Sequence, residues 1–358
     1  MSLHLSNDKN SNSLALSEIR ARIFTKLNTF VDPIINNLEE LHPWHPFGKN
    51  KKVHMERLAN DVLEFSQWLE LNKREVFLLE IILRCHDIGR HAEGLWKETH
   101  IWEEIKNHSQ YAADFLKNNN ILEWLDESEK EVIYEAIRYH GVGKVEIKDA
   151  TSLAYKLCYK LRDHDKMDAL QDMKYMQPDG ILAQLWIRFL SWEDSKLLKE
   201  KTADHSIHSY LHNVVASSLG GPKNNYKRDD IFEATRGIKN VVDKIIVKLD
   251  SPVLPKTLDN FLAKRLCDQE FKQSDSYSTY MLYTLAFMYD LKYDISLEEA
   301  ITDPAIIARL NFLKYKEGEE SFIKIISTLK EYLLSRWTKN QEIREQSINA
   351  LLLNFQNA

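Results

Sequence analysis

Six residues of this chain have the chemistry of metal ligands: His54, the adjacent pair His86-Asp87, His108, His140 and Asp165. Imidazole nitrogens and carboxylate oxygens in this mixture suit Mn, Mg, Fe, Co or Ni without distinguishing them. The central pair closes the apolar run Val76 to Cys85, within Ile82-Leu83-Arg84-Cys85-His86-Asp87-Ile88-Gly89-Arg90. One nitrogen and one carboxylate oxygen are thereby offered to a single point. The six residues could surround one ion or a pair of ions.

A ligand buried in a helical bundle shares its face with core residues. His108 does so, with Ile105 at i−3 and Ala112 and Phe115 at i+4 and i+7. His140 follows Ile133, Ala136 and Ile137 at i−7, i−4 and i−3, near the end of its helix. Asp165 extends Leu153, Leu157 and Leu161 in steps of four. An aspartate ending a leucine stripe is costly unless something neutralises it, and a metal ion would. Asp163 lies about 200° away around the same helix and is expected to face solvent. Each residue alone has an ordinary explanation. An inward histidine is more often a hydrogen-bonded core residue than a ligand, a His-Asp dipeptide arises by chance, and Asp165 could pair with Arg162 or Lys166. Their coincidence on successive helices is what favours a metal site.

The phrase His86-Asp87-Ile88-Gly89-Arg90 resembles the signature of the HD superfamily of metal-dependent phosphohydrolases. Asn107-His108-Ser109, with Ala112 and Leu116, is similar to the following histidine helix of HD-GYP and related members, and Ile137-Arg138-Tyr139-His140-Gly141 to the next one. Leu161-Arg162-Asp163-His164-Asp165-Lys166-Met167-Asp168 resembles the closing Ala-Asp-Lys-Leu-Asp-type element, with His164 where a small residue is usual. The likeness covers roughly residues 50–170. More weakly, Phe287-Met288-Tyr289-Asp290-Leu291, continuing to Ser296, is similar to a C-terminal segment of some bacterial HD hydrolases. Three well-marked branches are not supported. No His-Glu or Gly-Tyr-Pro follows His140, as in HD-GYP enzymes. No Glu-Asp follows the HD pair, as in the alarmone hydrolases of the stringent response. The extended His-Pro-Phe-Gly-His style motif of dNTP triphosphohydrolases is also missing.

The resemblance implies an all-α HD-domain helical bundle holding two divalent ions, with Asp87 as bridge. His54, His86, Asp87 and Asp165 are assigned to the first ion, and His108 and His140 complete the second; a mononuclear site of the first four is the fallback. Two such ions would hold a bridging hydroxide at neutral pH, bind phosphoryl oxygens and neutralise charge as the P–O bond breaks. The expected activity is phosphohydrolase or phosphodiesterase action on a nucleotide or small phosphoester. Two other readings stand beside it. One is a di-iron oxygenase, because some HD-fold oxygenases use the same four histidines and two aspartates. The other is a non-catalytic, metal-stabilised sensor or scaffold.

Cations beside the ions should hold the phosphate. Arg90 follows the HD pair by three residues, where related enzymes carry a basic residue, and Arg57 stands one turn beyond His54 on the same face. Either could instead be an exposed helix charge, and Lys166, beside Asp165, reads rather as such a charge. His205, His208 and His212 share one face of a predicted helix, but no carboxylate motif accompanies them, so a polar face or a pocket lining is expected. His42 and His45 flank Trp44 in a Pro-rich loop and are expected to pack over the site entrance. His91 and His100 fall in the loop after the HD pair. None of these is expected to be a ligand.

The elements that must position the six are helices. The 358 residues include only 10 glycines and 8 prolines, and long stretches carry helical spacing, which favours a nearly all-α protein. An amphipathic helix pair is expected over ~15–41 with a break at Pro33, then a loop at Leu41 to Gly48. Helices follow at ~54–71, 74–87, 101–119, 127–140 and 149–170. A loop at Gln177 to Gly180 ends this block, and the second half is also helical, with breaks at Gly220-Gly221-Pro222 and from Ser251 to Pro255. Residues 1–14 are expected to be disordered. Residues 1–40 thus read as tail and N-terminal helices, 41–175 as the metal-binding core, and 176–358 as a helical C-terminal extension packed on it. A discrete C-terminal domain beginning near residue 180 is the alternative.

Charge and cysteine usage narrow the partners. The 48 basic and 54 acidic residues are interspersed and the formal net charge is -6. Without a basic tract or basic-aromatic alternation, a nucleic-acid polymer is not an expected partner, whereas a small nucleotide needs only a few local cations. Cys85, Cys158 and Cys267 are odd in number and far apart, so no disulfide framework is expected and a reducing cytoplasm is the simplest compartment. Cys85 and Cys158 read as ordinary buried thiols. The polar stretch Ser6 to Asn12 shows no secretory h-region. The run Val76 to Cys85 is interrupted by Glu80 and Arg84 and is too short to span a bilayer. No membrane partner is expected, and homo-oligomerisation is left open.

Overall fold

Apolar residues at four-residue steps, Ile19, Ile23, Leu27, Val31 and Ile35, turn one face of helix α1 (Leu16–Leu41) into the core. The helix runs through Pro33 without the expected break. A proline inside a helix costs about 3 kcal/mol in a lost hydrogen bond and a ring clash. Five buried aliphatic side chains, each contributing about 1.5–3 kcal/mol, outweigh that cost.

The computed structural model describes residues 15–41, 47–66, 71–90, 108–141, 145–172, 192–202, 205–218, 237–266 and 276–336, with isolated positions between 177 and 190. The first block continues with α2 (Phe47–Ser66), α3 (Lys73–Cys85), α4 (His108–Asn118), α5 (Glu127–Arg138) and α6 (Leu153–Gln171). Helix α2 starts seven residues before the expected position, so Phe47 and Gly48 are helical rather than looped. In the sequence two prolines stand shortly before them, and a proline ahead of a helix does not oppose its start. Local capping sets other boundaries. The Asn72 side chain accepts the N–H groups of Arg74 and Glu75 ahead of α3, and Ser152 Oγ accepts the Tyr155 N–H at the start of α6.

The second half adds α7 (Trp192–Thr202), α8 (His205–Ser218), α9 (Lys239–Asp250), α10 (Pro255–Leu262), α11 (Tyr277–Leu285), a 3-10 turn (Ala286–Asp290), α12 (Asp294–Thr302) and α13 (Pro304–Arg336). The expected break from Ser251 to Pro255 falls between α9 and α10, with Pro255 opening the latter. Helix α13 bends at Gly318, whose φ of 76° is open to glycine at little cost. The described residues contain no strand, and none of their helices is long and apolar enough to cross a membrane. The expectations for residues 1–14, the Gly220 to Pro222 break, Cys267, and His42, His45, His91 and His100 fall outside the described residues.

Two buried apolar clusters result. One joins α1 to α5 with Leu157, Cys158 and Leu161 of α6. The other gathers the second half around Met167 and Leu170 of the same helix. Helix α6 is therefore shared, its beginning in one core and its end in the other. Burial raises both Cys85 and Cys158 to about 12, as befits inert thiols.

Two expectations for α6 are overturned here. Asp163 does not face solvent: it is 2% exposed and accepts the backbone N–H groups of Lys292 (2.8 and 3.1 Å) and Tyr293 (3.0 Å). Burial lifts its carboxyl to about 6 against the opposing pull of those donors. Lys166 is not an exposed charge either, for it pairs with Asp290, as does Arg162 at 2.6 Å. The common reason is that the second half covers the face opposite Asp165. A further tie comes from the fully buried Arg309 of α13, which donates to the carbonyls of Ala169 (2.7 Å) and Leu170 (3.1 Å). A guanidinium there satisfies end-of-helix carbonyls and the negative end of the dipole together.

Candidate metal centre

Five segments converge to place the six residues. Helix α2 presents His54, the turn after α3 presents His86 and Asp87, α4 carries His108, the turn after α5 holds His140, and α6 carries Asp165. Two glycines permit the approach of the middle segments. A Cβ on Gly89 would stand 2.1 Å from the His108 carbonyl oxygen, and one on Gly141 would stand 2.3 Å from Ser109 Oγ and 2.8 Å from the His108 ring. Gly141→Ala should destabilise the protein by about 1–3 kcal/mol, as overpacking does, and Gly89→Ala by at least as much, because the obstacle there is backbone. Urea denaturation would read the change; unaltered midpoints would mean that the segments have room to part.

The ring orientations are set by hydrogen bonds from the outward nitrogens. His86 Nδ1 donates to the Leu83 carbonyl at 2.8 Å and His140 Nδ1 to that of Ile137 at 2.7 Å. His54 Nδ1 meets Asp168 Oδ2 at 2.7 Å, and Arg57 grips the same carboxylate through Nε (2.6 Å) and Nη2 (2.7 Å). At His86 and His140 the donor role of Nδ1 leaves the Nε2 lone pair facing inward, the usual arrangement of a metal-binding histidine and its supporting acceptor, whereas His54 Nε2 meets the Asp165 carboxylate at 3.1 Å.

Asp87 lies at the centre, with its two oxygens turned to different neighbours. Oδ2 stands 3.7 Å from His86 Nε2, 3.9 Å from His54 Nε2 and 2.6 Å from Lys51 Nζ. Oδ1 stands 3.5 Å from His108 Nε2, 3.9 Å from His140 Nε2 and 2.9 Å from Arg90 Nε. Asp165 Oδ1 completes the first set at 3.1 Å from His54 Nε2 and 3.6 Å from His86 Nε2. Two groups that could each hold an ion follow, His54-His86-Asp87-Asp165 and Asp87-His108-His140, with the donor atoms of each within 4.8 Å of one another. The expected division of the six residues between two ions has this same form.

Electrostatics and polar satisfaction favour cations in both places. Burial opposes charge on Asp87, but Lys51 and Arg90 outweigh it and hold the carboxyl well below its ordinary value. Asp165 is likewise held low against burial, by His54 and His86. Burial, reinforced by Arg90 at His108, depresses His108 and His140 so that both rings are neutral. At His54 burial and Lys51 press downward, yet the carboxylates of Asp165 and Asp168 prevail and raise it. His86 Nε2 is buried and has no hydrogen-bond partner among the described residues, an expensive orphan for a neutral site. His108 Nε2 and His140 Nε2 face each other at 3.3 Å, with Arg90 Nη2 3.3 Å from His108 Nε2, and a cation between the two rings would be shared by both. The donor set fits divalent ions, which bind neutral imidazoles and ionised carboxylates and would replace the proton between His54 Nε2 and Asp165.

Three contributors were not assigned a role in the sequence reading. Lys51 precedes His54 by three residues on α2, a same-face spacing that could have revealed it. Asp168 has the same relation to Asp165. Tyr283 of α11 stands within electrostatic reach of Arg90 and meets Phe287 edge-on, with ring centroids 5.1 Å apart. Nothing local signals that contact, since it depends on how the two halves pack. His212 lies on α8 as expected, whereas the side chains of His205 and His208 are outside the described residues.

Residues 53–180 match the family model of the HD domain. This span is similar to an HD domain, and the clustered histidines and aspartates are consistent with an HD metal site. No curated protein and no solved structure matches the chain.

Proposed function

We propose that the protein is a metal-dependent phosphoric ester hydrolase, a phosphohydrolase or phosphodiesterase acting on a nucleotide or small phosphoester. The observation that supports this most directly is the division of Asp87 between two ligand groups, one carboxylate oxygen toward each. Divalent ions held by His54, His86, Asp87 and Asp165 and by Asp87, His108 and His140 would supply Lewis acidity toward phosphoryl oxygens and toward a water nucleophile.

The chain's own groups would do the rest. Lys51 and Arg90 flank Asp87 and are partly exposed, so their charges can serve phosphoryl oxygens at the mouth of the site. Arg57 would in addition fix the His54 ring through Asp168. Residues 41–175 would form the catalytic core and 176–358 a helical extension upon it. The partner would be a small phosphorylated molecule in a reducing cytoplasm, not a nucleic-acid polymer or a membrane.

Elemental analysis of the purified chain, followed by phosphatase and phosphodiesterase panels with Mn, Mg, Co and Fe, tests the proposal. The expected result is metal-dependent release of phosphate or cleavage of a diester, abolished by chelation. Substrate-dependent oxygen uptake by iron-loaded protein without ester cleavage would replace it with the oxygenase reading. Full metal occupancy without turnover would favour a sensor or scaffold.

A further inference from the structure

His140 sits just beyond the end of α5, where backbone carbonyls have lost their helical partners. Its ring is fixed through Ile137, but its backbone is held by another helix. Arg162 of α6 donates through Nη1 to the carbonyls of His140 (2.8 Å) and Tyr139 (3.3 Å). The Arg162 side chain is 3% exposed, and a guanidinium so buried requires an anion. Asp290, which ends the 3-10 turn of the second half, supplies it: Oδ2 accepts from Arg162 Nη2 at 2.6 Å and also from Lys166. A continuous chain of contacts thus runs from the second core through Asp290 and Arg162 to the peptide bearing one candidate ligand.

We propose that Asp290 is a positioning residue for the His108-His140 end of the metal centre, acting through the Arg162 contact with the His140 carbonyl. This rests on the two-ion reading of the site and adds to it a contribution from outside the matched HD domain. Without the Asp290 carboxylate, Arg162 and Lys166 are two cations in a poorly solvated place and repel each other. The guanidinium is then displaced from the His140 carbonyl, and the ring that depends on that peptide loses its aim. At the other end both imidazoles are held without it, His54 by Asp168 and His86 by Leu83.

The test is Mn(II) titration of the full chain by calorimetry, with elemental analysis after dialysis. Wild type should hold about two ions. Asp290→Asn should weaken one of them by roughly 10- to 100-fold, the usual effect of losing an outer support, and leave the other unchanged. Lys166→Met, which removes the other arm of the Asp290 contact, should leave both. If Asp290→Asn fails to fold, Arg162→Gln should show the same selective weakening. Unchanged binding, equal weakening of both ions, a matching loss in Lys166→Met, or a wild-type chain saturating at one ion would each overturn the proposal. The titration contains no substrate. A chain that binds two ions and shows the selective loss, yet cleaves no ester, sinks the hydrolase reading and leaves this one standing.

Discussion

Asp87→Ala should bring bound metal and ester hydrolysis to background together while leaving a helical protein. Both ligand groups lose their shared carboxylate: the first keeps two imidazoles and Asp165, and the second keeps only two imidazoles. Lys51 and Arg90, 2.6 and 2.9 Å from the Asp87 oxygens, then turn from partners of a carboxylate into cations that repel an incoming ion. Breaking a fully buried pair costs about 3–5 kcal/mol. The loss here should be smaller, because both cations are partly exposed and can swing into water. Circular dichroism should therefore remain helical while elemental analysis returns no metal. Full occupancy in this variant would remove Asp87 from the centre.

Asp165→Asn and Asp163→Asn should fail in different ways. The first removes a carboxylate that faces His54 and His86, so hydrolysis should disappear and metal content should fall with little change in melting temperature. The second weakens the acceptor of three charge-assisted bonds from the Lys292 and Tyr293 backbone, so stability should drop by about 1–3 kcal/mol while metal is retained. Activity of the folded fraction should persist. Metal analysis and thermal denaturation of the two variants, side by side, would decide the matter. Equal metal losses would mean that the two faces of α6 are not separate in role.

The candidate ligands are legible because their signal is local. A histidine or aspartate in phase with an apolar stripe needs no knowledge of the partner helix, and six of them in order needed no alignment to stand out. The same reasoning failed at Asp163 and Lys166 for a physical reason: it treats one face of a helix as core and the other as solvent, and α6 is buried on both. Pro33 misled because a local penalty was read without the long-range burial that exceeds it. Lys51 was overlooked although its spacing from His54 is as regular as that of Arg57. The contacts of Asp290 and Arg309 with α6 span more than a hundred residues and leave no trace in spacing or periodicity.

The double membership of α6 bears on where this protein can be divided. The matched HD domain ends at residue 180 and contains every candidate ligand. A fragment cut there would nevertheless bare Met167 and Leu170, strip Asp163 of its amide donors, and leave the carbonyls of Ala169 and Leu170 without Arg309. The helix bearing Asp165 would fray from its far end toward the centre. Grafting the six candidate ligands into another scaffold meets the same obstacle, because the helix that carries the last of them is completed by a part of the chain that supplies none.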